Sequence, residues 1–356
     1  MSVNVSYKKQ SALFLFLIII VFLIAEGSAR TYELFIQDCG LETADSLNDL
    51  DYFVKRQMCY DQQNIIYSQT PVLSLVPNQH FATININEDG FRGPEINMNS
   101  NYRIFVVGGS TTFGAGSPGD EFTIPSELEK LLKEKYDNIE VINAGISSIT
   151  SFEELYHIKH NIVNYHPDMV IIYDGVNDIF YKKITEPEIL EEEEIKDYQR
   201  YLRSPVVLYR YFLLPIMNSE IINSPGQISF SQKNDLLMSE KISTLWVQRM
   251  TEFCDISIKN NFESIVIIQP ALYNEKKPLS DFEKSIFKKN EYGSNTFNAL
   301  TEKSKNLNNC SLVLDFTDVF ENTRDSVYFD QVHTNNLGNK IIAEKIYHEV
   351  INNKII

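Results

Sequence analysis

From Asn101 onward, short unbroken apolar runs alternate with stretches of helical periodicity, and no other feature restricts the fold as tightly. Ile104-Phe105-Val106-Val107, Val141-Ile142, Met169-Val170-Ile171-Ile172-Tyr173, Ile265-Val266-Ile267-Ile268 and Leu312-Val313-Leu314 read as five strands. Between them Leu128, Leu131, Leu132 and Tyr136 recur at helical spacing behind Pro125. Leu155, Ile158 and Ile162 share one face of a helix that stops before Pro167, and Ser151 with Glu154 reads as its capping box. A last helix runs through Ile341, Ile342, Ile346 and Val350. A strand apolar at every position is covered on both faces, and amphipathic helices between such strands supply the cover. The expected class is α/β, a parallel sheet between two helical layers. In such sheets ligands bind beyond the carboxyl ends of the strands.

The N-terminus bears on the compartment. Lys8 and Lys9 precede an apolar run from Ala12 to Ala25, closed by Glu26, Gly27, Ser28 and Ala29. A basic start, an apolar core and small residues are the layout of a secretory signal, with Gly27 and Ala29 as the small cleavage positions. The 14-residue run is shorter than the roughly 20 residues that span a bilayer, yet apolar enough for a retained anchor. Residues 1–29 are therefore expected to be a signal peptide or an N-terminal membrane anchor attached through residues 12–25. Lys8 and Lys9 stay inside, so the rest of the chain is expected to be extracytoplasmic. Disulfides form in that setting. Cys39 with Cys59, and Cys254 with Cys310, are the pairs the positions suggest; four buried free thiols are the alternative. No pair has CxxC spacing, which disfavours zinc.

Residues 30–100 carry no steady period and read as an N-terminal extension packing on a main domain at 101–352. That domain is interrupted by an insertion, 179–263. Glu191–Glu194 within it read as a solvated helix face, and the aromatic stretch Val206–Met217 as core or lid. A long helix around Leu245, Trp246 and Phe253 follows. An insertion there would overhang the carboxyl edge of the sheet, where lids sit. The net charge of −16 repels a phosphate backbone, so nucleic acid is not an expected partner.

The strand ends carry matched chemistry. Gly108-Gly109-Ser110 puts a serine on a tight turn after the first strand. Gly145 ends the second strand, where a missing side chain lets a ligand approach the backbone. Asn177 follows the third and offers an amide donor, and Asp178 beside it reads as structural. Past the fifth comes Asp330-Gln331-Val332-His333, in which an aspartate three residues before a histidine can hold one tautomer. Asp325 is the weaker rival for that role. Acyl transfer needs a nucleophile, a base, an orienting acid and an oxyanion hole. These residues supply all four.

In order, the contexts of Ser110, Gly145, Asn177 and His333 resemble the four signature blocks of the SGNH (GDSL-type) hydrolases, over about residues 101–350. Gly175-x-Asn177-Asp178 and Asp330-x-x-His333 are the more specific matches, whereas the usual Gly-Asp-Ser-Leu reads Gly108-Gly109-Ser110-Thr111 here. The resemblance implies a three-layer, flavodoxin-like fold with strand order 2-1-3-4-5. It implies Ser110 as nucleophile, His333 as base and Asp330 as its orienting acid. Ser110, Gly145 and Asn177 would form the oxyanion hole, with no cofactor and no metal.

Other motifs are weaker. Gly114-Ala115-Gly116-Ser117-Pro118-Gly119 matches a dinucleotide fingerprint in letters only, since Pro118 interrupts it and no acid stands at the end of the second strand. His157 and His160 fall opposite the apolar face of their helix, so with His166 they read as solvated rather than as a metal trio. The leading expectation is an extracytoplasmic serine esterase acting on an acetylated glycan or a lipid ester. Alternatives are a polysaccharide O-acyltransferase with the same triad, or a non-catalytic carbohydrate-binding surface protein.

Overall fold

The computed structural model describes residues 6–35, 39–68, 71–181, 207–208, 232–274 and 276–356. It divides into two units, one of residues 1–39 and 190–229, the other of residues 40–189 and 230–356. In the first, helix α1 (Tyr7–Phe35) is long and apolar enough to cross a membrane by length and composition. It runs well past the apolar stretch and fits a signal sequence or an anchor. The Glu26 carboxylate on it accepts the backbone N–H groups of Val207 and Leu208, at 3.0 and 2.9 Å, and pairs with Arg30 at 2.9 Å. The expectations for Glu191–Glu194 and for most of Val206–Met217 lie outside the described residues.

In the second unit the elements are α2 (Tyr52–Asn64), two short hairpins β1 (Tyr67–Ser68) with β2 (Ser74–Leu75) and β3 (Gln79–His80) with β4 (Asn85–Ile86), then β5 (Tyr102–Gly108), α3 (Ser110–Phe113), α4 (Ile124–Lys133) and β6 (Ile139–Gly145). After these come α5 (Ser151–His160), β7 (Met169–Asp174), α6 (Val176–Tyr181), α7 (Gln232–Asn260), β8 (Glu263–Ile268), α8 (Asp281–Ile286), α9 (Glu291–Ser304), β9 (Leu312–Asp315) and α10 (Asn336–Asn352). The five long strands form a parallel sheet in the order β6-β5-β7-β8-β9, which is 2-1-3-4-5 counting along these strands. This is the doubly wound α/β architecture that the apolar runs and the family resemblance led us to expect.

Alternate residues of each strand face opposite layers. Ile104, Val106, Met169, Ile171, Ile265 and Ile267 pack under α4 and α10 with Leu128, Leu132, Ile342 and Ile346. Phe105, Val107, Val170, Ile172, Val266 and Ile268 pack under α5, α7 and α9 with Ile158, Trp246, Phe253, Phe297 and Leu300. Each of these side chains contributes roughly 1.5–3 kcal/mol by leaving water. A Cys254–Cys310 disulfide, Cα–Cα 4.8 Å, ties α7 to the chain entering β9, and none of the four cysteines is a free thiol.

Three local expectations change. The capping box of α5 closes on Thr150 and Glu153, one residue earlier than Ser151 and Glu154. Ser151 instead gives its N–H (2.9 Å) and its hydroxyl (2.6 Å) to Asp178. His157 is not solvated: it is buried and its Nε2 lies 2.7 Å from the Leu73 carbonyl, because residues ahead of the sheet cover the back of α5. Helix α2 leaves no signature in the sequence. Its covered face holds Lys55, Arg56 and Asp61 beside Met58 and Cys59, so no apolar stripe marks it.

Candidate active site

Strand β5 delivers Ser110 to the carboxyl edge of the sheet through two glycines that crowding demands. A Cβ on Gly108 would lie 2.2 Å from Thr112 Oγ1 and 2.4 Å from the Tyr173 carbonyl; one on Gly109 would lie 2.4 Å from Asn177 Nδ2. Any side chain at Gly109 would therefore meet the Asn177 amide. Gly109 is the N-cap of α3 and Ser110 its first residue. Among the described residues the Ser110 N–H meets no acceptor, as expected for the first turn of a helix.

His333 comes from a turn after β9, closed by the Tyr328↔Thr334 bridge and by Phe329 N–H on the His333 carbonyl (3.1 Å). The Phe329 ring stacks on the imidazole, centroids 5.6 Å apart at 11°. On Gly116 a Cβ would meet that ring at 2.3 Å, so the glycine makes room for the stack. The turn rests on a buried ion pair: Lys277 bonds to Glu283, whose Oε1 accepts the N–H groups of Val327 (3.0 Å) and Tyr328 (3.2 Å).

The polar line is continuous. Asp330 Oδ2 lies 2.6 Å from His333 Nδ1, and His333 Nε2 lies 2.7 Å from Ser110 Oγ. Asp330 Oδ1 accepts the N–H groups of Val332 (2.8 Å) and His333 (2.7 Å), which fixes the carboxylate before it meets the ring. Burial pushes the Asp330 carboxyl up, but the charge of His333 and the donors at both oxygens outweigh it and hold it below the usual carboxylate range. A carboxylate at Nδ1 assigns the ring proton to Nδ1 and leaves Nε2 to accept from the serine hydroxyl. Asp325, the rival acid, is exposed, and its carbonyl accepts from Lys277 (3.0 Å).

The structure places Asn177 beside this line but gives Gly145 another task. Asn177 Nδ2 donates to the Ile149 carbonyl at 2.6 Å, which orients the amide against Gly109 with a second N–H to spare. The Gly145 N–H, expected in the oxyanion hole, donates to Asn143 Oδ1 at 3.0 Å in this structure. A Cβ there would lie 2.2 Å from Phe113 N, so what approaches its bare backbone is α3 and not a ligand. Three residues on, exposed Ser148 holds φ at 73°, and its N–H meets no acceptor among the described residues. Such a conformation in a non-glycine residue marks a constrained backbone. Nothing in the sequence distinguishes Ser148 from Ser147; in the fold Ser148 alone of the two is exposed and holds a positive φ.

Behind Asn177 lies a buried acidic group. Asp178 pairs with Arg249 at 3.2 Å, and Asp174 accepts the Trp246 indole N–H at 2.9 Å. Burial, then the charges of Asp174 and Asp178, push the Glu154 carboxyl well above its usual range; burial and Asp178 do the same to Asp174. Confinement of this kind favours the protonated form of a carboxyl. Among the described residues the carboxylates of Glu88, Asp89 and Glu95 lie close enough together for a metal ion; all three are exposed and none belongs to the Ser110 line.

The family described as GDSL-like lipase/acylhydrolase matches residues 104–346. No curated protein matches the chain. Among solved structures it is similar to the acetyl xylan esterase AlAXEase, at 17% identity over 70% of this chain and 99% of that one, TM-score 0.43. It is also similar to Axe2, an acetylxylan esterase from Geobacillus stearothermophilus, at 15% identity over 72% and 96% of the two chains, TM-score 0.39. A third is a two-domain esterase active on acetylated mannans, at 16% identity over 72% and 50%, TM-score 0.42. With a match that runs from the first long strand into the last helix, this chain belongs to the GDSL-like lipase/acylhydrolase family of esterases.

Proposed function

We propose that the chain is an extracytoplasmic serine ester hydrolase that forms an acyl-enzyme on Ser110. The observation that carries this reading is the hydrogen-bonded line from Ser110 Oγ through His333 to Asp330. Ser110 Oγ bonds to the ester carbonyl carbon while its proton passes to His333 Nε2. Asp330 stabilises the imidazolium across Nδ1. The carbonyl oxygen takes up the negative charge against N–H donors of Ser110, Asn177 and Ser148, the last in place of Gly145. His333 then protonates the departing alkoxide as its bond to the acyl carbon breaks. Water repeats the sequence in reverse, releasing the acid and restoring the serine.

The apolar run of α1 that follows Lys8 and Lys9 supports delivery across a membrane, with the helix retained or removed. The substrate is then an ester met outside the cytoplasm, an acetylated glycan or a lipid ester. The test is turnover of p-nitrophenyl esters of graded chain length by the full chain and by Ser110→Ala. Hydrolysis by the parent and none by the variant is expected, with chain-length preference reporting acetyl or lipid use. Equal hydrolysis by the two proteins removes the reading.

A further inference from the structure

We infer that Arg92, on the segment ahead of the sheet, is a positioning residue that clamps the nucleophile turn from behind; this rests on the acyl-enzyme reading above. Helix α3 is a single turn of four residues. One turn fixes many dihedrals for very few hydrogen bonds, so it does not persist unaided. Its final carbonyls find no partner within the helix. Arg92 supplies one: NH1 donates to the Phe113 carbonyl at 3.0 Å and to the Gly114 carbonyl at 2.9 Å.

The guanidinium is itself immobilised. Its NH2 donates to the Thr83 carbonyl at 2.9 Å, its Nε donates to Asp120 Oδ1 at 2.7 Å, and its carbon stands 4.8 Å from the centroid of the Phe113 ring. The side chain is 1% exposed. The Arg92 backbone N–H bonds to the Asn143 carbonyl at 3.1 Å, and Asn143 Nδ2 reaches the same Phe113 carbonyl at 3.2 Å. Two segments from different parts of the chain therefore converge on one oxygen of the turn that begins with Ser110. Ile84, Ile86, Phe113, Ile146 and Ile149 form one apolar cluster around it.

The chemistry favours arginine. A planar fork can hold two carbonyls on one side and a carboxylate on another, which a lysine ammonium on a flexible stem does not reproduce. The segment expected as a packed extension thus reaches into the nucleophile's support. If α3 shifts, Ser110 Oγ leaves its 2.7 Å contact with His333, and a misplacement of about 1 Å costs on the order of a hundredfold in rate.

The experiment compares the full-length parent, Arg92→Lys, Asp120→Asn and Ser110→Ala. It measures the rate of Ser110 phosphonylation by a fluorophosphonate, kcat and KM on p-nitrophenyl acetate, and the thermal midpoint. Arg92→Lys is expected to slow phosphonylation and kcat by about ten- to a hundredfold, with KM changed less than about twofold. Asp120→Asn, which leaves the arginine in place but removes the carboxylate charge its Nε faces, is expected to act in the same direction by several-fold, and it carries the test if Arg92→Lys does not fold. A folded variant that reacts at the parental rate, whatever its melting temperature, overturns the inference. A parent that is not labelled at Ser110 overturns the acyl-enzyme reading first and this inference with it.

Discussion

His333 Nε2 stands 2.7 Å from Ser110 Oγ although 223 residues separate the two in sequence. The parallel sheet makes the meeting possible, because strand ends distant in sequence share one edge. Phe329 and the Lys277–Glu283 pair then set the angle at which the imidazole arrives. Replacing Ser110 or His333 by alanine should lower kcat on a p-nitrophenyl ester by at least about a thousandfold with the circular dichroism spectrum unchanged. Asp330→Asn should cost somewhat less than His333→Ala, since the base remains but its tautomer is no longer held. Parental turnover in any of the three would end the assignment.

On the acyl-enzyme reading, the Asn177 N–H that does not bond to Ile149 meets the charge that develops in the transition state. Asn177→Ala should therefore lower kcat by about a hundred- to a thousandfold and leave KM nearly unchanged. Steady-state kinetics separate the two constants. A change confined to KM would place the amide on the ground-state substrate instead.

The Glu154 carboxyl makes stability depend on pH in a direction opposite to that of an ordinary acid. Its folded pKa is raised, so the folded chain keeps a proton that the unfolded chain releases near pH 4. Its contribution is complete below that pH and is lost as pH rises through the folded value. Glu154→Gln should flatten the alkaline loss of stability seen by urea denaturation between pH 5 and pH 8. An unchanged pH slope would count against a proton held there.

Lys277 and Glu283 have fully buried side chains. Lys277→Met leaves the Glu283 charge without its partner beneath the His333 turn, and should cost about 3–5 kcal/mol of unfolding free energy. Denaturant titration measures it. A loss below about 1 kcal/mol would mean that water or a proton already compensates the carboxylate.

The Cys254–Cys310 bridge closes a loop with a sequence separation of 56. Chain-entropy reasoning assigns such a loop about 4 kcal/mol. Replacing both cysteines by alanine should lower the urea midpoint accordingly while ester turnover at 25 °C persists. Loss of turnover with stability intact would instead tie the bridge to the active site.

Much of the layered fold is legible in the chain because it rests on local pattern. Short runs apolar at every position fit strands of a sheet covered on both faces, and amphipathic stretches lie between them. The Asp330–His333 pair is legible for a similar reason, since three residues of one turn bring carboxylate and ring together. Other features left no mark. The covered face of α2 is charged, His157 is buried by a segment 84 residues away, and Thr150 takes the cap because Asp178 claims Ser151.

What the amino-acid order determined alone is the five core strands with several of the helices between them, the glycine turn before Ser110 and the local Asp330–His333 geometry. These follow from steric and periodic rules that act over a few residues. Tertiary structure decided which groups are free to act: Asn143 claims the Gly145 N–H, the Ser148 N–H is left open, and Arg92 is pressed against the end of α3. A backbone donor is available or spent according to which acceptor the fold brings within 3 Å or so, and that neighbour can come from anywhere in the chain.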